Sequence, residues 1–420
     1  MIKTNNIFKL RKYLQDFTLA EESDFFNPNS QHQTQIEFLN YNQQSYPKFI
    51  NEFWTSRQRQ ATALHEISYR ACFKPQLPHF FIRLLTESGE VVYDPFAGRG
   101  TTVLEAALLN RNIIANDINP ISRILYAARL QVPKLSKLEQ RLAEIPFEKT
   151  ASANIDLSMF FHPDTEAEIV SLKNYLAERQ QNGKEDLLDR WLRMIATNRL
   201  TGHSTGFFSV YSLPPNQAIS PQSQRKINIK RNQQPEYRNT RALILKKSKS
   251  LLKNLFPATI QQLNEIGQRA LFLTQDARFT DKIADQSVRL TVTSPPFLNV
   301  VQYANDNWLR CWFNGIQSEE VAHQLTMAKS LEEWLQVMAQ VFTELYRITQ
   351  KDGWLAFEVG EVRRGKIKLE EEIVPLGLQA RFECVAILIN QQTFTKTANI
   401  WGVANNAKGT NTNRIVIFRK

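Results

Sequence analysis

From about residue 76 onward, apolar and polar positions follow two alternating rhythms. PQLPHFFIRLLTESG spaces its apolar residues at helical intervals, with Pro78 near its start and Ser88-Gly89 closing it. EVVYDP is a short apolar run ending in a turn, which predicts a strand. TTVLEAALLNR predicts a helix of strong helix formers. NIIANDINP predicts a second strand ending in an acid, and ISRILYAARLQV a second helix. Strand and helix in turn, at these lengths, predict a parallel sheet covered by helices.

The alternation stops over 135–265. DTEAEIVSLKNYLAERQQ and KEDLLDRWLRMIATN are amphipathic and predict helices, and EYRNTRALILKKSKSLLKNL predicts another with basic residues on its polar side. Between them TGHSTGFFSVYSLPPNQAISPQSQ is rich in turn formers and predicts an ordered loop. The α/β rhythm resumes near 269. RALFLTQDA and SVRLTVTSPPF predict strands, the second running into a Pro-Pro turn. SLEEWLQVMAQVFTELYRIT predicts a helix and DGWLAFEVGEV a strand, with closing strands near 382–391 and 413–419. Residues 1–60 are polar, rich in Asn and Gln with scattered aromatics, and predict an irregular or helical extension. The expected organisation is this extension, a catalytic domain over 61–134 and 266–420, and a largely helical insertion over 135–265.

Composition narrows the partners. The 420 residues carry a formal net charge of +11, and residues 221–253 hold ten Lys or Arg against the single acid Glu236. That stripe accounts for +9 and leaves +2 for the remainder, a local pattern suited to phosphate contacts. Lys226, Lys230, Arg231, Lys246, Lys247 and Lys249 are its candidate DNA-binding residues. The solvated-helix alternative stays open, with Phe207, Phe208, Tyr211 and Tyr237 nearby as either core or base-contacting aromatics. Cys72, Cys311 and Cys384 are far apart and in no metal-ligand spacing, so a reducing cytoplasm and no metal site are expected. The start lacks a signal-peptide pattern, and no stretch approaches the roughly 18 apolar residues of a membrane span.

Two segments carry chemistry. Asp94-Pro95-Phe96-Ala97-Gly98-Arg99-Gly100-Thr101-Thr102 joins a predicted strand to a predicted helix. Its glycines allow a tight turn and close approach of backbone to ligand, and an acid at a strand end can take a ligand's ammonium group. Thr293-Ser294-Pro295-Pro296-Phe297 follows the strand VRLTV. A hydroxyl followed by prolines, whose φ is fixed, can hold a side-chain oxygen and a carbonyl toward an amine, and Phe297 can stack on a base. Asp117 and Asp276 end further strands, where such folds bind ligands.

The first segment resembles the S-adenosylmethionine-binding motif of the DNA amino-methyltransferases, and the second their catalytic Ser/Thr/Asp/Asn-Pro-Pro-Tyr/Phe motif. The resemblance covers about 60–130 and 269–420. It implies a Rossmann-like class I methyltransferase fold, with a mostly parallel seven-stranded sheet and helices on both faces. It implies S-adenosylmethionine at Asp94, Phe96, Ala97, Gly98, Gly100, Thr101, Thr102, Asp117, Ile118 and Asp276. Catalysis falls to Ser294, Pro295, Pro296 and Phe297. Asp117 would meet the ribose hydroxyls, Ile118 the adenine ring and Asp276 its amino group. The 68–78 segment resembles the stretch that packs by the cofactor's methionine end, and 394–396 with 409–411 the late loop near the target base. The insertion would be the target-recognition region. Serine at 294 points to cytosine N4 in duplex DNA, with a cognate restriction endonuclease as a partner. Adenine N6, an RNA base and a non-catalytic nucleic-acid-binding role are the alternatives.

Overall fold

The computed structural model describes residues 6–19, 33–54, 61–70, 72–213, 218–296, 303–324, 328, 330–359, 368–391 and 412–420. One sheet holds nine strands: β1 (Gln35–Tyr41), β2 (Gln44–Asn51), β3 (Val91–Asp94), β4 (Asn112–Asn116), β5 (Leu271–Leu273), β6 (Val288–Thr293), β7 (Thr349–Val359), β8 (Glu383–Gln391) and β9 (Thr412–Arg419). Helices of the sheet-forming parts are α1 (Ile7–Gln15), α2 (Gln76–Leu85), α3 (Thr101–Leu108) and α4 (Pro120–Ala127). Between β4 and β5 follow α5 (Leu135–Glu144), α6 (Pro163–Gln181), α7 (Leu187–Arg199), α8 (Pro221–Arg231), α9 (Thr240–Leu252) and α10 (Pro257–Arg269). The remainder are α11 (Tyr303–Asp306), α12 (Trp308–Asn314), α13 (Ser318–Gln324), α14 (Leu331–Ile348) and α15 (Leu369–Gln379).

The strand order is β1-β2-β8-β9-β7-β6-β3-β4-β5. All neighbours are parallel except β9, which runs against β7 and β8, and β1, which runs against β2. Counted from β3, the seven later strands stand in the order third, second, first, fourth, fifth, seventh, sixth, with the seventh reversed. That is the class I methyltransferase fold. The order turns back between β3 and β6, and ligands of such sheets bind beyond the strand ends at this point.

Side-chain alternation explains the two-sided cover. On β7, Trp354 and Ala356 join one apolar layer, while Leu355, Phe357 and Val359 join the other. The first layer lies under α2, α3, α4 and most of 135–265; the second lies under α14 and α15. The 135–265 segment is not a detached lobe. Trp191 and Ile244 share one buried layer with Leu104 and Val292. Its two ends meet where Asn264 accepts from the Val132 N–H at 2.7 Å and donates to the Val132 carbonyl at 3.4 Å.

The N-terminal region holds one helix, α1, as an irregular or helical extension allows, but Gln35–Tyr41 and Gln44–Asn51 form a hairpin that was not expected and lengthens the expected seven-stranded sheet to nine. Asn42 and Gln43 at its tip have φ of 48° and 62°, the backbone of a tight primed turn. Most of β1 is exposed, so it carries no buried face for alternation to reveal. β2 is fixed by Lys48 on Glu371 at 2.7 Å, and Asn390 Oδ1 accepts the N–H groups of Phe53 and Trp54.

Candidate active site

β3 ends at Asp94, and the chain turns into α3 through Gly98 and Gly100, with φ of +51° and +77°. Both lie in the left-handed region that favours glycine. At Gly100 space is also closed, because a Cβ would stand 2.3 Å from Tyr126 Cβ. The Ala97 N–H donates to the Asn116 carbonyl at 3.0 Å and fixes the turn over β4. Behind it, the buried Arg129 guanidinium holds the carbonyls of Leu64, Leu125 and Arg99.

The structure gives the predicted cofactor residues different tasks. Asp117 stands half-buried at the end of β4, with its carboxylate accepting from Gly98 N–H at 2.7 Å and Asn119 N–H at 2.9 Å. Burial pushes its carboxyl up to about 6 against those bonds. Phe96 and Ile118 are half-buried beside it. Asp94 is only 1% exposed, and it does not offer an open oxygen for an ammonium group as expected. Its Oδ1 accepts from Thr293 Oγ1 at 2.6 Å and from Phe96 N–H at 3.1 Å. Burial pushes this carboxyl up to about 7. Thr101 and Thr102 likewise turn inward: Thr101 accepts from Arg99 Nε, and Thr102 donates to the Val292 carbonyl at 3.2 Å. What they can present to a ligand is backbone. Asp276 is gripped by Arg278 at 2.5–3.0 Å. Burial would raise its carboxyl, but the Arg278 hydrogen bonds and charge outweigh this and hold it low.

Tyr69 covers the turn. Its Cε1 lies 3.6 Å from where a Gly98 Cβ would be, and its hydroxyl accepts from Asn119 Nδ2 at 3.2 Å.

The second motif leaves β6 next to β3. Thr293 is fully buried on Asp94, so the donor-side turn and the Ser294 turn are joined directly. Ser294 is half-buried, and its hydroxyl hydrogen-bonds the Glu358 carboxylate at the end of β7. Asn413 of β9 donates to the same carboxylate at 3.2 Å. Glu358 is 8% exposed, and burial holds its carboxyl above the ordinary value against those two bonds. Pro295 is buried, and the Pro296 carbonyl accepts from Trp334 Nε1 at 2.9 Å. Phe297, with 394–396 and 409–411, lies outside the described residues. Glu358, Asn413, Asn116 and Trp334 were not singled out from sequence, and Thr293 stood in the second segment without a role of its own. The acid in FEV, next to the end of the strand that follows the Pro-Pro turn, was the available signal for Glu358.

The basic stripe divides. Lys226, Lys230, Arg231, Lys246 and Lys249 are exposed, and the Arg231 guanidinium lies 3.8 Å from the Tyr211 ring centroid. Lys247 is not an open phosphate ligand. Its side chain is 11% exposed and faces Glu66 at 3.6 Å. Burial first and the Arg199 charge second push its ammonium down to about 8. Lys249 faces Glu139 at 3.4 Å. Among the described residues no group of three or more His, Cys, Asp or Glu is arranged to hold a metal, and no helix is long and apolar enough to cross a membrane.

Residues 5–125 match the N6/N4 family described as DNA methylase. The chain is 31% identical over 77 residues to the type II methyltransferase M.MjaII of Methanocaldococcus jannaschii, across 18% of this chain and 14% of that one. It is 29% identical over 98 residues to the type II methyltransferase M.MvaI of Kocuria varians, across 23% and 21%. The matched stretches thus span about a seventh and a fifth of these relatives' lengths. A solved structure, the rRNA methyltransferase aviRa of Streptomyces viridochromogenes, overlays 85% of this chain and 89% of its own at 12% identity and a TM-score of 0.34. The fold assignment above rests on strand order, not on that overlay.

Proposed function

We propose that this chain is a DNA amino-methyltransferase, like the family whose model its residues 5–125 match, and that it methylates an exocyclic amino group of a DNA base, cytosine N4 before adenine N6. One observation carries the reading. The Ser294 hydroxyl, backed by buried Glu358, stands at the strand-order reversal beside the glycine turn.

S-adenosylmethionine is the methyl donor of the family, and when bound it supplies a sulfonium-activated methyl group. The residues suit it. Asp117 keeps acceptor capacity for a diol, and Gly98 leaves room between that carboxylate and Tyr69. On the acceptor side, the amine of a base is a poor nucleophile because its lone pair is delocalised into the ring. With its proton given to an ionised Glu358, the serine oxygen would be left as an acceptor for the amine. Accepting an amine proton draws the nitrogen toward a tetrahedral, nucleophilic state. The nitrogen–methyl bond forms as the sulfur–methyl bond breaks, and one proton must then leave. The Ser294–Glu358 pair offers it a path to a carboxylate. Serine here, where the family's adenine enzymes usually carry Asp or Asn, favours cytosine. The two relatives are named type II methyltransferases, which supports, as part of this proposal, a protective role beside a restriction endonuclease.

The direct test is incubation with labelled S-adenosylmethionine and mixed-sequence duplex DNA, then nucleoside digestion and mass spectrometry. N4-methylcytosine is expected. N6-methyladenine would overturn the base assignment, and label only in a parallel RNA reaction would overturn the substrate.

Glu358→Gln tests the proton path. Glu358 works ionised, and its carboxyl sits above the usual range, so turnover should rise with pH through an acid limb above pH ~4.5. Glu358→Gln should lower kcat by about a hundredfold and abolish that limb. An acid limb that survives in the variant would belong to Asp94 or Asp117 instead.

A further inference from the structure

We propose that α8 is the helix that reads the target sequence, lying in the major groove of duplex DNA. The inference rests on the methyltransferase reading above and adds which element confers specificity. The face of α8 is the first argument. PQSQRKINIKR carries Arg225, Lys226, Lys230 and Arg231 and no acid, and all four are exposed. Among them stands Ile229, 82% exposed, the most exposed large apolar side chain among the described residues. A merely solvated basic helix has no use for it. A major groove does, because thymine presents a methyl group there beside the acceptors that Lys and Arg read on guanine. Arg225, Lys226 and Ile229 fall at helical spacing on one face.

The opposite face explains how α8 is held. Gln224 is fully buried and donates to the Tyr211 carbonyl at 3.0 Å, and Asn228 donates to the Met159 carbonyl at 2.8 Å. Amides grip backbone and Arg231 stacks on the Tyr211 ring, so the helix is fixed without Lys226, Ile229 and Lys230. The Asp156 carboxylate on Arg225 at 2.6 Å is itself more than half exposed, a weak pair that a phosphate or base can displace.

Placement is the third argument. The segment leading into α8 is bonded to the segment after the catalytic turn: Ala218 N–H to the Asp306 carbonyl at 2.8 Å, and Trp308 Nε1 to the Ile219 carbonyl at 3.1 Å. Asp306 also pairs with Arg70 at 2.7 Å, next to the Tyr69 that covers the glycine turn. The helix therefore starts at the rim of the active site. α9, by contrast, turns Lys247 inward on Glu66, and only Lys246 and Lys249 of its candidate lysines stay exposed.

The test methylates a pool of random duplexes with wild type, Ile229→Ala, Lys226→Gln and Lys230→Gln, and reads the modified sequences. Wild type should give one motif. Ile229→Ala should relax one position of it by about tenfold, as loss of a single base contact does. A lysine that reads a base will likewise relax one position, and one that holds phosphate will weaken all sequences evenly with a shallower salt slope. Unchanged motifs in all three variants overturn the assignment of α8 while leaving the methyltransferase reading intact. Absence of DNA methylation by wild type overturns both. Calorimetric S-adenosylmethionine binding serves as the folding control for each variant.

Discussion

Ser294→Ala is expected to slow methyl transfer by at least a hundredfold, about the lower bound for removing a positioned proton acceptor, while affinity for S-adenosylmethionine stays at the wild-type level. The serine touches the acceptor side only. The glycine turn, Asp117 and Tyr69 are held by bonds that do not involve it. Single-turnover rates with saturating cofactor give the first quantity and calorimetry the second. A rate within a factor of a few of wild type would remove Ser294 from the chemistry. The pairing with Glu358 adds a sharper expectation. If the proton leaves along that pair, Ser294→Ala combined with Glu358→Gln should be no slower than Ser294→Ala alone, since groups acting in series are not additive. Multiplying penalties would mean that the two act separately.

Gly100→Ala should show the largest loss of stability among single substitutions in the site, about 3 kcal/mol, with cofactor binding lost alongside. Two costs coincide. An alanine at φ +77° is strained by about 1–2 kcal/mol, and its Cβ would overlap Tyr126 Cβ, an overpacking cost of the same order. Relief by movement is restricted, since Tyr126 is 1% exposed and Arg129 holds the carbonyl just before Gly100. Gly98→Ala is the comparison. Its φ is also positive, but its Cβ would meet Tyr69 only at ordinary contact distance, so the loss should be about half as large. Thermal unfolding of both variants checks the order. Equal effects would mean that the Tyr126 contact relaxes without cost.

The legible parts of this protein were those covered by apolar layers. β3, β4, β6 and β7 are short, largely buried runs between helices with one apolar stripe, and their strand-end motifs followed from that rhythm. The hairpin β1–β2 was not legible, since an exposed edge strand and a turn of Asn42-Gln43 carry no such contrast. α8 escaped for a related reason: its inner face is built of amides, Gln224 and Asn228, so PQSQRKINIKR shows no apolar stripe. In the site, residue types at strand ends suggested chemistry, but their orientation was not legible. Whether Asp94 faces a ligand or Thr293 depends on the neighbouring strand, which follows it by some 199 residues. The same holds for Glu358, whose partner Ser294 lies just past the end of another strand.

The Thr293–Asp94 bond has a thermodynamic consequence. It makes the donor cradle and the acceptor turn two ends of one joint. A ligand that tightens or loosens the joint from its own side is felt on the other. Linkage then requires equal factors in both directions: whatever cofactor loading does for DNA affinity, DNA does for cofactor affinity. The acceptor in that joint is a carboxyl pushed up to about 7 by burial, so its charge changes near neutrality. Communication between the two halves of the site is therefore itself a function of proton concentration.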